Sequence, residues 1–263
     1  METISAKSDT STRRTHTFNV LGIDVQITNE ELLSALVSKW IREKKSAYVC
    51  FADVHSIMLC QSNEAARHAL ENADFVSPDG TPLVWVGKYL HNEPAKRVCG
   101  PDFLPYLVKS TADKNYRHYF YGGKPDVVEK LVTLMAHKFP AAKIAGWHSP
   151  PFRVLTEDEE KSDVEKIRAA RPDIVWVGLG APKQEIWMKS HKHLFDGTVL
   201  LGVGAAFDMH AGQVARAPLW MRENGLEWLH RLSQEPKRLW RRYLLLAPMF
   251  VWKIFRERRV ANR

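Results

Sequence analysis

Asp79 lies between a proline and a glycine in "FVSPDG", at the end of a short apolar run. A carboxylate fixed by such a turn is suited to general-base work, taking the proton from an attacking hydroxyl. Arg97 and Asp102 follow in "KRVCGPDF". A guanidinium offers paired N–H donors to phosphate oxygens, which makes Arg97 a candidate for holding a diphosphate. "FYGGKPDVVEKL" sets Gly122 and Gly123 between an apolar run and a helix start. Glycines there let backbone N–H groups approach a phosphate at the positive end of the helix. In "WVGLGAPKQEIWM", Gly178 and Gly180 end another apolar run and Pro182 suits a first helical turn. Lys183 can then pair with phosphate, and Gln184 can read a base or a sugar hydroxyl. "LGVGAAFDMHAG" brings small residues together with Asp208, which they would leave in a cleft. Taken singly, each segment is equally an ordinary tight turn, a helix cap or a surface residue.

These residues need a scaffold that gathers strand ends. "FNVLGIDVQIT" alternates apolar and polar residues around Gly22 and predicts a hairpin. "NEELLSALVSKWIREKK" has a helical period with Asn29 as its cap. "AYVCFAD", "DFVSPDG", "RHYFYGG", "AKIAGWH", "DIVWVGLG" and "TVLLGVGAAFD" read as strands. "NEAARHALENA", "KPDVVEKLVTLMAHKFP" and "EDEEKSDVEKIRAARP" read as helices between them. The alternation predicts an α/β fold: a Rossmann-like, mostly parallel sheet with helices on both faces. Ligands in such sheets bind beyond the carboxyl ends of the strands, which is where the residues above fall.

The division expected is a disordered lead-in over 1–16, an α/β core over 17–218 and a basic, aromatic helical appendage over 219–263. Net charge is 38 − 30 = +8, but it is uneven. From Leu219 onward nine Arg and two Lys face four Glu, or 11 − 4 = +7, leaving +1 for the rest. That segment also carries Trp220, Trp228, Trp240 and Trp252. A near-neutral body with a basic, aromatic end predicts an anionic partner, a membrane surface or a nucleic acid. Three cysteines without regular spacing argue for reduced thiols rather than disulfides or a zinc site. The polar N-terminus has no apolar signal-peptide segment, and the longest apolar run, 244–252, is too short to span a bilayer and contains Pro248. No pair of acidic residues of the DxD kind is evident, so no metal and no cofactor are expected.

"SPDG", "RVCGPDF", "FYGG", "VGLGAPKQEIW", "GVGAAFDMHAG" and "RAPLWMRENGLEWLHRLSQEPKRLWRRY" occur in this order. Together they closely resemble the WecG/TagA/CpsF family of bacterial glycosyltransferases, from about Phe18 to Leu245. The resemblance implies a Rossmann-like core with a C-terminal membrane-docking appendage. It also implies inverting transfer of a sugar from a UDP-sugar donor to a polyprenyl-diphosphate-linked sugar, in exopolysaccharide, capsule or teichoic acid assembly. On that resemblance Asp79 is the base, Arg97 a catalytic partner, and Gln184 and Asp208 substrate-binding residues. Arg231, Arg238 and Arg241 hold the lipid diphosphate. Where the family often has a Thr and an Asn at the end of the first core strand, this chain has Phe51 and Asp53, followed by His55. Asp53 and His55 are expected at the sugar pocket, and the donor stays open among glucose, N-acetylmannosamine and its uronic acid.

Leu239, Tyr243, Leu246, Phe250 and Ile254 recur at helical spacing, flanked by Arg238, Arg241, Arg242, Arg256, Arg258 and Arg259. This predicts a stripe lying in the headgroup plane of an anionic membrane, with the protein on the cytoplasmic face of the plasma membrane. Homo-oligomerisation is left open. A nucleotide-dependent oxidoreductase is disfavoured because no glycine follows "AYVCFAD", where its fingerprint belongs. A non-catalytic module gripping nucleic acid or membrane is the remaining alternative. The end segment is too continuously apolar for a solvated strand-binding face, so no nucleic-acid partner is expected.

Overall fold

The computed structural model describes residues 16–261, so all but the last residue of the expected lead-in lies outside it. β1 (Thr17–Val20) and β2 (Ile23–Gln26) pair antiparallel. Their turn uses positive φ at both Leu21 and Gly22. α1 (Glu30–Arg42) starts where Asn29 accepts the Leu32 N–H at 2.8 Å. The six remaining strands are β3 (Ala47–Ala52), β4 (Phe75–Pro78), β5 (Arg117–Gly122), β6 (Lys143–His148), β7 (Ile174–Gly178) and β8 (Val199–Gly202). They form one parallel sheet in the order β4-β3-β8-β7-β5-β6. All six positions of β3 are buried. A continuous apolar run, rather than an alternating one, is what a parallel strand covered on both faces requires.

The covering helices are α2 (Val54–Cys60), α3 (Glu64–Glu71), α4 (Thr81–Trp85), α5 (Gly100–Ser110), α6 (Pro125–Lys138), α7 (Glu157–Ala169), α8 (Lys183–His191) and α9 (Ala206–His210). Ile57, Leu70, Val164, Ile167 and Met188 pack on one face of the sheet with the β1–β2 hairpin. Leu33, Leu104, Leu107, Leu131 and Phe207 fill the other. α2 and α5 are among the helices that were not evident in the sequence. α2 begins directly after β3, capped by Asp53, whose carboxylate accepts from the Ser56 N–H at 3.0 Å. α5 begins at Gly100 and carries Pro101 in its first turn and Pro105 inside.

The helix between β5 and β6 packs on one face, and the helix between β7 and β8 on the other. The connections thus diverge at the carboxyl ends of β5 and β7, which opens a crevice there. At that point the two backbones nearly touch. A Cβ on Gly122 would lie 2.7 Å from the Gly178 carbonyl carbon, and Gly122 adopts φ +113°, so only glycine fits.

After Pro218 the chain forms α10 (Leu219–Glu223), α11 (Glu227–Gln234), α12 (Pro236–Trp240), a π-turn over Arg241–Leu246 and α13 (Ala247–Ala261). Pro248 follows the π-turn and lacks the N–H that an α-helix would direct to Leu244. The stripe expected on a membrane faces inward instead. Leu239, Phe250 and Ile254 are buried, and Phe250 and Ile254 join the core on the α2 side of the sheet. A different set faces outward: Trp240, Leu244, Leu245, Met249, Val251, Trp252 and Phe255 are all exposed. Periodicity identified one face correctly but could not say which of two apolar faces meets protein. Among the described residues no helix is long and apolar enough to cross a membrane.

Candidate functional site

A cleft of about 1440 Å³ runs along the carboxyl ends of the strands and is closed on one side by the helices after Pro218. Asp79 projects into it from the end of β4. Its N–H donates to the Ala52 carbonyl at 2.8 Å, which ties the Pro-Asp-Gly turn to β3. The Val98 N–H bonds the Pro78 carbonyl at 3.0 Å, bringing the neighbouring Arg97 alongside. Arg97 Nε donates to the Asp79 carbonyl at 2.5 Å, and Nη2 lies 3.7 Å from the Asp79 carboxylate. The same Nη2 donates to Glu227 Oε2 on α11 at 2.6 Å. Gly225, with φ +72°, lets the α10–α11 turn press against Thr81. Burial raises the Asp79 pKa to about 6; Glu227 adds to the rise, and Arg97 and Arg231 oppose it.

At the end of β3, Asp53 does two structural jobs. It caps α2 and forms an ion pair with Arg242 of the π-turn. His55, half-buried on α2, has no hydrogen-bond partner at Nδ1 among the described residues, and burial lowers its pKa, so the ring is neutral near pH 7. Arg231 on α11 is half-buried, with its Nε unpartnered among the described residues. Arg238 and Arg241 are exposed at the mouth, Arg238 bonded to Glu235 at 2.5 Å and Arg241 over the Trp240 ring at 5.3 Å. Asp208 is the third residue of α9 rather than its cap. Burial raises its pKa against the pull of Arg238 and Lys124.

Gly123 and Gly180 line the crevice between β5 and β7, at φ +70° and +77°, and among the described residues nothing beyond its chain neighbours lies within 4 Å of where a Gly180 Cβ would be. Lys183 is exposed beside it. Gln184 is buried, and its amide is already bonded: Nε2 donates to Glu185 Oε1 and the Gly202 carbonyl, and Oε1 accepts from the Gly180 N–H. It borders the cleft while holding β7 and β8 in relation, with both Nε2 hydrogens already engaged and Oε1 accepting one bond.

Two expected residues do not line the cleft. Gly122 serves the backbone approach described above. Asp102 accepts from Arg216 at 2.5 and 3.2 Å, from Arg222 at 3.3 Å and from the Cys99 thiol at 2.9 Å. Burial works against its charge, but Arg216 holds its pKa down to about 2. It anchors the segment around α10 to α5. Glu227 and Phe152 belong to the site and had no sequence signal, the first because a lone helical Glu is unremarkable, the second because its loop has no period. Among the described residues no group of three or more His, Cys, Asp or Glu side chains comes together as a metal site.

Residues 18–263 match the sequence model of the glycosyl transferase WecG/TagA/CpsF family. The chain belongs to that family. It is a glycosyltransferase, with activity of the hexosyltransferase type. This WecG/TagA/CpsF member is 30% identical over 241 residues to the N-acetylglucosaminyldiphosphoundecaprenol N-acetyl-beta-D-mannosaminyltransferase of Bacillus spizizenii, covering 92% of this chain and 90% of that one. The enzyme of the same description in Bacillus subtilis is 34% identical over 188 residues, 72% of this chain and 71% of its own length. The Staphylococcus aureus enzyme is 25% identical over 243 residues, 92% of this chain and 93% of that one.

Proposed function

We propose that this glycosyltransferase moves an N-acetylated hexose, as its relatives do, from a UDP-sugar to the sugar of a polyprenyl-diphosphate-linked acceptor, in the assembly of a bacterial surface polysaccharide. The acceptor is carried over from the relatives, whose names specify N-acetylglucosaminyldiphosphoundecaprenol. The observation that carries the reading is the setting of Asp79: a partly desolvated carboxylate with a pKa near 6, beside Arg97, in a cleft that the C-terminal arginines border.

In the reaction, Asp79 takes the proton of the acceptor hydroxyl as that oxygen forms the new bond to the anomeric carbon. The bond from that carbon to the donor diphosphate breaks on the opposite face, and UDP departs with the electron pair, so the anomeric configuration inverts. Negative charge grows on the leaving diphosphate, and fixed positive groups stabilise it without reorganising. Arg231, Arg238 and Arg241 are suited to this work or to holding the acceptor's own diphosphate. Lys183 and the glycine-lined end of β5 supply the corresponding cradle on the nucleotide side. Asp208 lies close enough to Arg238 and Lys124 to feel their charge and is placed to meet a polar group of the donor. Asp53 and His55 border the region where the transferred sugar sits.

The outward apolar face of α13 and the π-turn, with Arg256, Arg258 and Arg259 beside it, suits peripheral docking on an anionic bilayer. Docking would present the lipid-borne acceptor at the side of the cleft these helices border. The test is UDP release across a panel of UDP-hexoses, with a short-chain prenyl-diphosphate N-acetylglucosamine as acceptor. Acceptor-dependent release with one donor supports the reading. Absence of release with every donor, by protein that is folded, contradicts it.

A further inference from the structure

The loop between β6 and α7 leaves one large aromatic almost wholly in solvent. Phe152 is 95% exposed, yet it borders the cleft. The backbone around it is firmly held. Ser149 Oγ donates to the Gly123 carbonyl at 2.6 Å, fastening the loop to the end of β5. Arg153 grips Glu159 through both terminal nitrogens at 2.7 and 2.6 Å, and its N–H closes a turn on the Pro151 carbonyl at 2.8 Å. Thr156 and Glu159 form a capping box that fixes the start of α7. A ring presented to water on so constrained a loop has no role in the core.

The ring stands at the crevice between β5 and β7, where an open parallel sheet receives a nucleotide. The Lys183 ammonium lies 5.2 Å from the Phe152 ring centroid, and Lys183 opens α8 just after the unobstructed Gly180. One end of the crevice therefore offers an aromatic face, and next to it a cation and glycine-lined backbone. A nucleoside diphosphate has the same sequence of parts: a flat base, then charged phosphates. Aromatic faces bind bases by stacking, in a way that tolerates base identity.

We propose that Phe152 is the platform on whose open face the donor's nucleobase stacks, with Lys183, whose ammonium lies over the other face, reaching toward the diphosphate. The proposal rests on the nucleotide-sugar reading above and adds to it the residue that recognises the base. Because the side chain is exposed, its truncation leaves the fold intact, and loss of stacking is the effect measured.

The test is calorimetric titration of the full-length protein with UDP and, separately, with inorganic diphosphate. Phe152→Ala should weaken UDP binding about tenfold, in line with the cost of removing one stacking partner. Phe152→Trp should bind UDP at least as well as the parent, and inorganic diphosphate should bind both variants and the parent alike. Equal UDP affinity in the parent and Phe152→Ala overturns the platform while leaving the donor reading standing. Equal losses for UDP and diphosphate also overturn it, since the ring would then act on the phosphate site. If the parent binds no UDP, the donor reading fails and the platform with it. If Phe152→Ala instead releases the protein from anionic vesicles with UDP binding unchanged, the ring is a membrane contact.

Discussion

Arg97 donates to Glu227 across 2.6 Å, joining the segment beside β4 to the first long helix of the C-terminal appendage. The same guanidinium lies 3.7 Å from the Asp79 carboxylate, so one side chain reports both on the base and on the seating of the appendage. The carboxylate proposed as the base and the segment proposed to bring in the lipid acceptor are thereby direct neighbours in space.

Their coupling has a signed consequence for pH dependence. Asp79 has a pKa of about 6, so a base role requires pH above that value. The kcat/KM profile should lose activity as pH falls through about 6, rather than near 4 where an ordinary carboxylate protonates. Glu227 pushes the Asp79 pKa up and Arg97 pulls it down. Glu227→Gln should therefore move the acid limb to lower pH, and Arg97→Gln should move it higher. A profile that stays put in both variants would mean that another group sets the limb.

The Asp53–Arg242 pair tests how the appendage is held. Asparagine is as good a helix cap as aspartate, so Asp53→Asn retains the start of α2 while removing the charge that faces Arg242. A hydrogen bond to a charged group contributes about 1.5–3 kcal/mol, so stability should fall within or below that range. Hydrogen exchange should rise in the π-turn and the first turns of α13, and stay unchanged in β3 and β7. Uniform exchange changes across the sheet would contradict a local clasp.

Phe250 and Phe255 lie on opposite faces of α13, the first buried and the second exposed. Phe250→Ala should cost about 3–5 kcal/mol in chemical denaturation, the range for a buried Phe truncation. Phe255→Ala should stay within about 0.5 kcal/mol. In flotation with anionic vesicles the order reverses: Trp252→Glu combined with Phe255→Glu should abolish co-flotation while leaving the denaturation midpoint near the parent's. Undiminished flotation of that double variant would remove the outward face as the membrane contact.

The parallel sheet was legible because its strands are short apolar runs, four of them ending in glycine or Pro-Asp-Gly, and runs of that kind have few other homes. β3, β5, β7 and β8 fall where "AYVCFAD", "RHYFYGG", "DIVWVGLG" and "TVLLGVG" predicted them. α2 was hidden because its cap, Asp53, reads equally well as a polar residue at a strand end. The structural bonds of Gln184 were hidden for a related reason: sequence gives the chemistry of an amide, not which strand ends it already bonds. The inward turn of Phe250 and Ile254 depends on a long-range partner, the core around α2, which local periodicity does not carry. Phe152 left no trace because loops have no period, and its placement depends on ties such as Ser149 to Gly123 and Arg153 to Glu159.

The most direct test is Asp79→Asn, assayed for sugar transfer to the prenyl-diphosphate acceptor and, in parallel, for UDP affinity. The substitution removes a carboxylate whose charge burial disfavours, so the variant should fold at least as stably as the parent. Transfer should fall by about 10²–10⁴ while UDP affinity changes little. Transfer at a rate near the parent's, by protein that binds UDP normally, would show that Asp79 does not take the proton.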